Sequence, residues 1–261
     1  KIVRYIRYNN NNNIEHGILL TDNSIQPITQ LPYGDNTLNI IKDGPTILLE
    51  DVGLLAPCQP GKIVATAINY PGATGLTEKV DEPLVFIKPS NSVIGPNQTI
   101  VSPFKDVPVW GEPELAIMIG KRLSKATTVE ASNAIFGYTI GNDVSCENVH
   151  GWDHHLARSK GADTFCVLGP WIDTEYKLDN QQIRGYHNNT LIRSGYCKQR
   201  LWKEPELLVW LSSWMTLEPG DVVLTGAPSR VRDRMYFEDK DIFTCEIEGL
   251  GRLLNPFELK V

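Results

Sequence analysis

Short apolar runs that alternate with turn residues constrain the fold of this chain more than any other feature of its sequence. Residues 115–119 are wholly apolar, and residues 135–142 form a largely apolar run that leads into Asp143. Apolar runs of about four to eight residues bounded by glycine, proline or polar residues indicate buried strands. Helical periodicity is convincing over 129–134 and 205–214, and 150–159 is a third candidate. Further strands are predicted at 1–8, 17–20, 24–28, 63–68, 84–87, 222–225, 242–247 and 251–254. Many short strands with few helices predict a β-rich α+β fold and not a doubly wound βαβ fold.

Two prolines and a glycine within residues 57–61 interrupt the strand pattern. Such residues mark loops between structural units. They predict a boundary between a small N-terminal accessory lobe, residues 1–57, and a larger domain, residues 58–261. A chain of 261 residues can bury a substantial core in a domain of that size.

The charge balance excludes several classes of partner. The net charge is −6 at pH 7 and no basic stripe is present, which argues against binding to nucleic acid or to an anionic membrane surface. The apolar runs are far shorter than the roughly 20 residues that span a bilayer. Five cysteines without a CxxC pair are typical of reduced thiols, so we expect a cytoplasmic protein.

Two carboxylates stand at the entrance to the 115–119 strand. Glu112 and Glu114 are two residues apart, so their side chains share one face of an extended segment. Asp143 lies at the corresponding mouth of the 135–142 strand. Three carboxylates in one place repel each other unless a cation lies between them. This pattern predicts a site for a hard divalent cation, Mg²⁺ or Mn²⁺.

Eight motifs over about 190 residues resemble, in the same order, those of the fumarylacetoacetate hydrolase family. The carboxylates described above belong to two of these motifs. The motifs are Ala67-Ile68-Asn69-Tyr70, Phe86-Ile87-Lys88-Pro89-Ser90, Glu112-Pro113-Glu114-Leu115, Gly137-Tyr138 with Asn142-Asp143-Val144-Ser145, and residues 160–165, 168–171, 217–228 and 246–251.

The resemblance implies a fold, a cofactor and a set of site residues. The fold would be a mixed β-sandwich roll, with residues 58–261 as the catalytic domain, in a homodimer. Its cofactor would be one Mg²⁺ or Mn²⁺, or sometimes Ca²⁺, with no organic cofactor. Glu112, Glu114 and Asp143 match the three metal carboxylates of the family. The position of the family's catalytic lysine holds Lys160, and its substrate-binding positions fall on Tyr70, Thr164, Thr225 and Gly226.

The chain also departs from the family pattern. Many hydrolases and decarboxylases of the family carry a His-Glu pair after the Asn-Tyr motif, and Ala73 and Leu76 stand there instead. Glu147 and His150 occupy positions where those hydrolases have arginine and glutamine. Because the water-activating pair is absent, the sequence favours reactions that need only an enolate over hydrolysis. Histidine is a frequent general acid or base in enzymes, so His150 is a candidate catalytic base.

Two further sets of residues allow alternative interpretations. On a helix, Cys146, His150 and His154 would share a face and could bind zinc, although Gly151 would interrupt that helix. Arg230, Arg232 and Arg234 could bind a distal carboxylate, but a solvated loop explains them as well.

The leading functional hypothesis is a metal-dependent enzyme that acts on a 2-oxo acid or a 2-hydroxydienoic acid through an enolate, of the isomerase or decarboxylase type. The first alternative is a carbon–carbon bond hydrolase of an acylpyruvate, such as fumarylpyruvate, with an unusual base. The second is a 2-keto-3-deoxy sugar acid dehydratase. A family member that has kept the fold as a binding or structural protein is a further possibility, against which the retained carboxylates and Lys160 argue.

Overall fold

The computed structural model describes residues 3–34, 40–72 and 78–260. Three helices and a larger set of strands occur in this part of the chain. The helices are α1 (Thr128–Asn133), α2 (Ala157–Gly161) and α3 (Glu206–Trp214). The strands are β1 (Arg4–Asn10), β2 (Asn13–Leu19), β3 (Ser24–Ile28), β4 (Ile47–Leu48), β5 (Gly53–Leu55), β6 (Ile63–Ala67), β7 (Leu84–Lys88), β8 (Val93–Ile94), β9 (Ile100–Ser102), β10 (Val109–Trp110), β11 (Pro113–Ile119), β12 (Ile135–Asp143), β13 (Ser145–Cys146), β14 (Cys166–Asp173), β15 (Gln182–His187), β16 (Thr190–Tyr196), β17 (Val222–Leu224), β18 (Ile242–Ile247) and β19 (Gly251–Leu259).

One large mixed sheet and one smaller sheet form the framework. The large sheet has the order β4-β3-β2-β1-β14-β12-β11-β17-β6-β7, with β5 paired to β1 and β8 paired to β14. The smaller sheet has the order β16-β15-β18-β19-β9, and β10 pairs separately with β13. This architecture confirms the predicted β-rich α+β fold of the mixed-roll type.

Strand β11 is buried on both faces, which explains its unbroken apolar sequence. Leu115 belongs to the core that the smaller sheet completes with Phe243 and Ile247. Further along the same face, Ile117 and Ile119 pack against the layer that contains α1 and α3. On the opposite face, Ala116 and Met118 belong to a third core, which lies inside the large sheet. This core also contains Ile63, Phe86, Leu168 and Leu224.

The large sheet curls strongly around this third core. In the sheet order, β11, β17 and β6 lie between β12 and β7, so a flat sheet would separate β12 from β7 by about 19 Å. However, the Lys88 Nζ at the end of β7 lies 2.6 Å from the Asp143 Oδ1 at the end of β12. The curl therefore brings the two strand ends together on the inner face.

The N-terminal strands extend the large sheet. Strand β1 pairs with β2 and β5, and also with β14 of the rest of the chain. These strands bury a small core of their own, formed by Ile6, Tyr8, Leu19 and Ile25. The division at residue 57 stays a prediction, because the hydrogen-bonded sheet is continuous across it.

Of the three predicted helices, 129–134 and 205–214 correspond to α1 and α3. The third, 150–159, was wrong as a continuous helix, since only a 3₁₀ turn at 149–151 and the short α2 occur there. His150 and Leu156 have φ angles of 64° and 59°, which a right-handed helix excludes. All five cysteines are free and buried. None of the helices in the described ranges is long and apolar enough to cross a membrane.

Candidate metal centre and active site

The pairing of β11 with β12 positions the three predicted carboxylates. Glu114 lies opposite Gly141 in this antiparallel ladder, and the Asp143 N–H donates to the Glu112 carbonyl oxygen over 3.0 Å. Glu112 and Asp143 are therefore neighbours across the two strands. Like charges in such positions destabilise a sheet unless a positive charge compensates them.

The arrangement fits a divalent cation. One carboxylate oxygen from each of Glu112, Glu114 and Asp143 lies within 4.8 Å of the others. Glu114 and Asp143 are 2% and 1% exposed, so water screens their charges poorly. Oxygen donors with net negative charge are those that Mg²⁺, Mn²⁺ and Ca²⁺ prefer. These three residues could therefore hold such an ion.

Three basic side chains surround the carboxylates. The Lys160 Nζ, from α2, donates to the Asp143 Oδ2 and lies 3.3 Å from the Glu112 Oε2. The Arg193 Nη2, from β16, donates to the Glu112 Oε1 over 2.7 Å. The Lys88 Nζ is fully buried and donates to the Asp143 Oδ1 over 2.6 Å. These three cations offset part of the negative charge of the carboxylates.

The local charges shift the pKa values of these groups in different directions. Burial raises the pKa of the Glu112 carboxyl, but the charges of Lys160 and Arg193 outweigh burial and bring that pKa down to about 2. Burial and the charges of Asp143 and Glu112 hold the pKa of the Glu114 carboxyl well above its usual range. Burial lowers the pKa of Lys160, but the same two carboxylates reverse this effect and raise it. Lys160 is therefore a cation near neutral pH.

Two backbone features hold the carboxylates in place. The Gly226 N–H donates to the Glu114 Oε2 over 2.7 Å, and the Asn142 Oδ1 accepts from the Glu112 N–H over 2.9 Å. Gly226 has a φ of 90°, and a Cβ there would lie 2.8 Å from the Asn69 Cβ. Only glycine fits this close approach without strain. The predicted Gly226 thus contacts a carboxylate of the cluster.

A cavity of about 160 Å³ opens beside the carboxylates. Lys160, Phe86 and Leu156 form part of its wall, and Thr66 lies at the end of β6. The Thr66 hydroxyl is buried and has no hydrogen-bond partner among the described residues. Arg230 and Arg234 also line the cavity.

All four predicted substrate-binding residues, Gly226 included, lie outside this lining. The Thr225 hydroxyl is fully buried and donates to the Leu115 carbonyl oxygen over 2.8 Å. The Thr164 hydroxyl exchanges hydrogen bonds with the backbone of Val101. Tyr70 is buried in the core between the sheets. The two threonine hydroxyls therefore have partners in the protein, whereas the buried Tyr70 hydroxyl has no hydrogen-bond partner among the described residues.

His150 and the alternative zinc site also lie apart from the cluster. His150 is exposed on the 3₁₀ turn and is not among the described residues that line the cavity. Cys146 lies in β13, with its Sγ close to the Arg158 carbonyl oxygen, so the expected helical face with His154 does not form. Within the described ranges, Glu112, Glu114 and Asp143 are the group suited to a metal ion. Ala73 and Leu76, the positions of the absent dyad, lie outside the described residues.

Sequence reasoning missed four polar residues of the site. Lys88 was noted only as part of a motif, and the apolar residues 84–87 that precede it were the available signal. Arg193 comes from a strand of the smaller sheet, and Thr66 from the end of β6. The Ser145 hydroxyl, which accepts from the Lys160 Nζ over 2.5 Å, was likewise part of a motif without an assigned role.

Comparison with known proteins agrees with this geometry. The family model described as Fumarylacetoacetate (FAA) hydrolase C-terminal matches residues 62–258. A relative from Bos taurus, named Oxaloacetate tautomerase FAHD2B, mitochondrial, is 32% identical in an alignment of 249 positions that covers 86% of this chain and 77% of that protein.

Solved structures resemble this fold over nearly its whole length. The 5-carboxymethyl-2-hydroxymuconate delta-isomerase from Mycobacterium smegmatis has a TM-score of 0.88 and 34% identity, over 98% of this chain and 100% of that one. The 2-hydroxyhepta-2,4-diene-1,7-dioate isomerase from Mycobacterium marinum has a TM-score of 0.87 and 33% identity, over 99% of both chains. The match of residues 62–258, three quarters of the sequence, means that this chain belongs to the fumarylacetoacetate hydrolase family.

Proposed function

We propose that this chain is a divalent-metal-dependent enzyme that interconverts isomers of a 2-oxo acid or a 2-hydroxydienoic acid through an enolate, with decarboxylation as a related outcome. The observation that carries this proposal is the convergence of Glu112, Glu114, Asp143 and Lys160 on one small cavity. Relatives with the names of a tautomerase and of isomerases support the reaction type.

Glu112, Glu114 and Asp143 would hold a Mg²⁺ or Mn²⁺ ion. When bound, the divalent cation supplies Lewis-acid polarisation of the C2 carbonyl and electrostatic stabilisation of the enolate oxygen. Buried Glu114 and Asp143 provide the negative charge that attracts the ion, and Gly226 fixes the orientation of one Glu114 oxygen.

Lys160 would act on the substrate directly. Its ammonium group is held by Asp143, Glu112 and the Ser145 hydroxyl, and it also lines the cavity. A fixed positive charge next to an oxygen that gains negative charge lowers the barrier to enolate formation. Because its contacts with carboxylates raise its pKa, Lys160 would serve as a cation and hydrogen-bond donor.

The surroundings of the reacting centre favour isomerisation over hydrolysis. Phe86 and Leu156 form an apolar part of the wall, and the Lys160 Nζ lies 4.8 Å from the centre of the Phe86 ring. His150, the candidate base for a hydrolytic reaction, is exposed and is not among the described residues of the lining. In isomerisation the C3 proton is returned to another atom of the same substrate, so the net reaction consumes no water.

A deuterium-exchange experiment tests enolate formation. In D₂O with saturating Mn²⁺, the wild-type protein should accelerate exchange of the C3 protons of oxaloacetate, measured by mass spectrometry after rapid quenching. Lys160→Met should lose most of this acceleration, whereas Lys121→Met, which removes an exposed lysine after β11, should retain it. Equal exchange by wild type and Lys160→Met would refute the role of Lys160.

Product identification separates the possible reactions. The panel comprises oxaloacetate, acylpyruvates, 2-hydroxyhepta-2,4-diene-1,7-dioate and 2-keto-3-deoxy sugar acids. We expect changed tautomers or double-bond positions, or loss of CO₂. Turnover of acylpyruvates alone, to pyruvate and a second acid, would establish the hydrolase alternative. Turnover of sugar acids alone would establish the dehydratase alternative.

A further inference from the structure

A second cavity lies apart from the carboxylate cluster. It has a volume of about 620 Å³ and is bordered by residues of β1, β2, β5 and β8 and by the loop that follows β5. None of its described lining residues lines the cavity beside Glu114. Within the described ranges, Arg7 of β1 is the one charged side chain in this lining. A molecule that enters would therefore contact a cation and, among the described lining residues, no carboxylate.

Arg7 is buried without a counter-ion among the described residues. It is 8% exposed, and its Nη1 donates to the Ala56 carbonyl oxygen over 3.2 Å, whereas its Nε is buried and has no partner in the described part of the chain. The two other buried arginines of the described ranges, Arg193 and Arg200, each form an ion pair with a glutamate. Burial lowers the pKa of the Arg7 guanidinium, and no carboxylate of the described residues counteracts this effect. A buried charge without a partner is costly, and a bound anion would remove this cost.

A second positive charge acts on the same face of the sheet. Arg7 lies opposite His16 in the antiparallel pair of β1 and β2, so the two side chains share a face. Burial and the positive charges of Arg7 and Lys42 lower the pKa of His16. Glu15, the acidic residue of β2, lies on the other face, where its Oε2 accepts from the Tyr8 hydroxyl over 3.0 Å. The face that carries Arg7 therefore attracts anions.

The remainder of the lining suits an organic molecule. The Gln98 Oε1 accepts from the Gly95 N–H over 2.6 Å, so the amide N–H groups of Gln98 can donate to a ligand. A volume of this size lies within the range of about 300–1,000 Å³ that is usual for small-molecule sites. Half of the described lining residues are apolar, namely Ile14, Leu55, Ala56, Pro60, Val93 and Ile94.

A guanidinium binds a carboxylate or a phosphate through two parallel hydrogen bonds. We propose that this cavity is a second ligand site, for a small organic anion whose carboxylate or phosphate group binds Arg7 and whose apolar part contacts the surrounding aliphatic side chains. The anion would accept a hydrogen bond from the Arg7 Nε and compensate the buried charge. The site does not depend on the proposed function, because it shares no described lining residue with the cavity beside the carboxylate cluster.

Calorimetric titration of the full chain in EDTA tests the site. The probes are hexanoate and hexyl phosphate, with 1-hexanol as the neutral match. Both anions should bind the wild type more tightly than hexanol, and the tighter of the two identifies the preferred head group. Arg7→Met should weaken binding of the anions by about 10- to 100-fold, the effect of one charge-assisted hydrogen-bonded contact, and leave hexanol unchanged. Arg230→Met, which removes an arginine from the lining of the other cavity, is the control and should bind as the wild type does.

Two variants at the rim keep the interior intact, so they test the site even if Arg7→Met does not fold. Ile14 lines the same cavity and is 60% exposed. At low ionic strength, Ile14→Glu should weaken binding of the anions by about threefold or more, and Ile14→Lys should not weaken it. Equal affinities of wild type and Arg7→Met, or of the two Ile14 variants, would overturn the proposal. Weaker binding by Arg230→Met with unchanged binding by Arg7→Met would place the anion beside the carboxylate cluster and would also overturn it.

Discussion

Replacement of Lys88 by methionine tests whether the carboxylates form one electrostatic unit. The Lys88 Nζ is fully buried and donates to the Asp143 Oδ1 and to the Val144 carbonyl oxygen. Removal of one partner from a buried ion pair costs about 3–5 kcal/mol, because the other charge is left uncompensated. Lys160 still contacts the second Asp143 oxygen, so we expect the lower end, about 3 kcal/mol.

The loss of stability should depend on the metal. At roughly 2–4 °C per kcal/mol for a domain of this size, Lys88→Met should lower the Tm by about 6–12 °C in EDTA. Saturating Mn²⁺ would place a new positive charge beside Asp143, and since it binds the native state it should also raise the Tm. We therefore expect the difference in Tm between wild type and variant to shrink by at least half in Mn²⁺. Differential scanning calorimetry in both conditions measures it.

Lys62→Met is the matched control for this experiment. Lys62 forms an ion pair with Asp221, another buried carboxylate, which is not part of the candidate metal cluster. Its replacement should lower the Tm by the same amount with and without Mn²⁺. An equal fall in Tm for Lys88→Met in EDTA and in Mn²⁺ would show that Lys88 contributes packing alone, and no fall in EDTA would refute the charge argument.

Three further substitutions test separate parts of the site. Gly226→Ala should cost about 1–3 kcal/mol through backbone strain, and it should weaken Mn²⁺ binding because the N–H that donates to Glu114 moves; denaturant unfolding and calorimetry measure the two effects. Arg193→Gln should raise the pKa of Glu112 from about 2, so the stability that this carboxylate contributes in the metal-free protein is lost at a higher pH during acid titration. That contribution is complete above the unfolded-state pKa and falls as the pH falls toward 2, so an unchanged acid midpoint would contradict the assignment. His150→Ala should keep kcat/KM within about threefold of wild type, because the exposed ring is not among the described residues of the cavity lining.

Local sequence patterns predicted the carboxylates because their geometry depends on two adjacent strands. Side chains alternate between the two faces of a strand, so Glu112 and Glu114 share a face. Asp143 ends the apolar run of β12, which pairs with β11. The three carboxylates come together whenever β11 and β12 are neighbours in the sheet. The structure places one oxygen from each carboxylate within 4.8 Å of the others.

Residues that reach the site through the curl of the sheet had no such signal. Lys88 contacts Asp143 only because the large sheet bends β7 around to β12, and Arg193 comes from the smaller sheet. The direction of a side chain at a strand end is also set by its neighbours. Thr225 is an example, since its hydroxyl donates a hydrogen bond to the Leu115 carbonyl oxygen of the adjacent strand.

The continuous helix predicted at 150–159 does not form, for a local reason. His150 and Leu156 adopt the left-handed region, which ends a helical turn, and apolar spacing does not reveal such positions. The homodimer, the cytoplasmic location and the division at residue 57 stay predictions.

Calorimetric titration of the metal-free protein with Mn²⁺ measures whether Glu112, Glu114 and Asp143 bind a divalent cation. The account predicts one Mn²⁺ per chain for the wild type, and a loss of affinity of at least about 100-fold for Glu114→Gln, which removes the charge of one predicted ligand. Glu218→Gln, at an exposed carboxylate that pairs with Arg122, should bind Mn²⁺ as the wild type does. The account would be contradicted if the wild type took up neither Mn²⁺ nor Mg²⁺, or if Glu114→Gln bound Mn²⁺ with wild-type affinity.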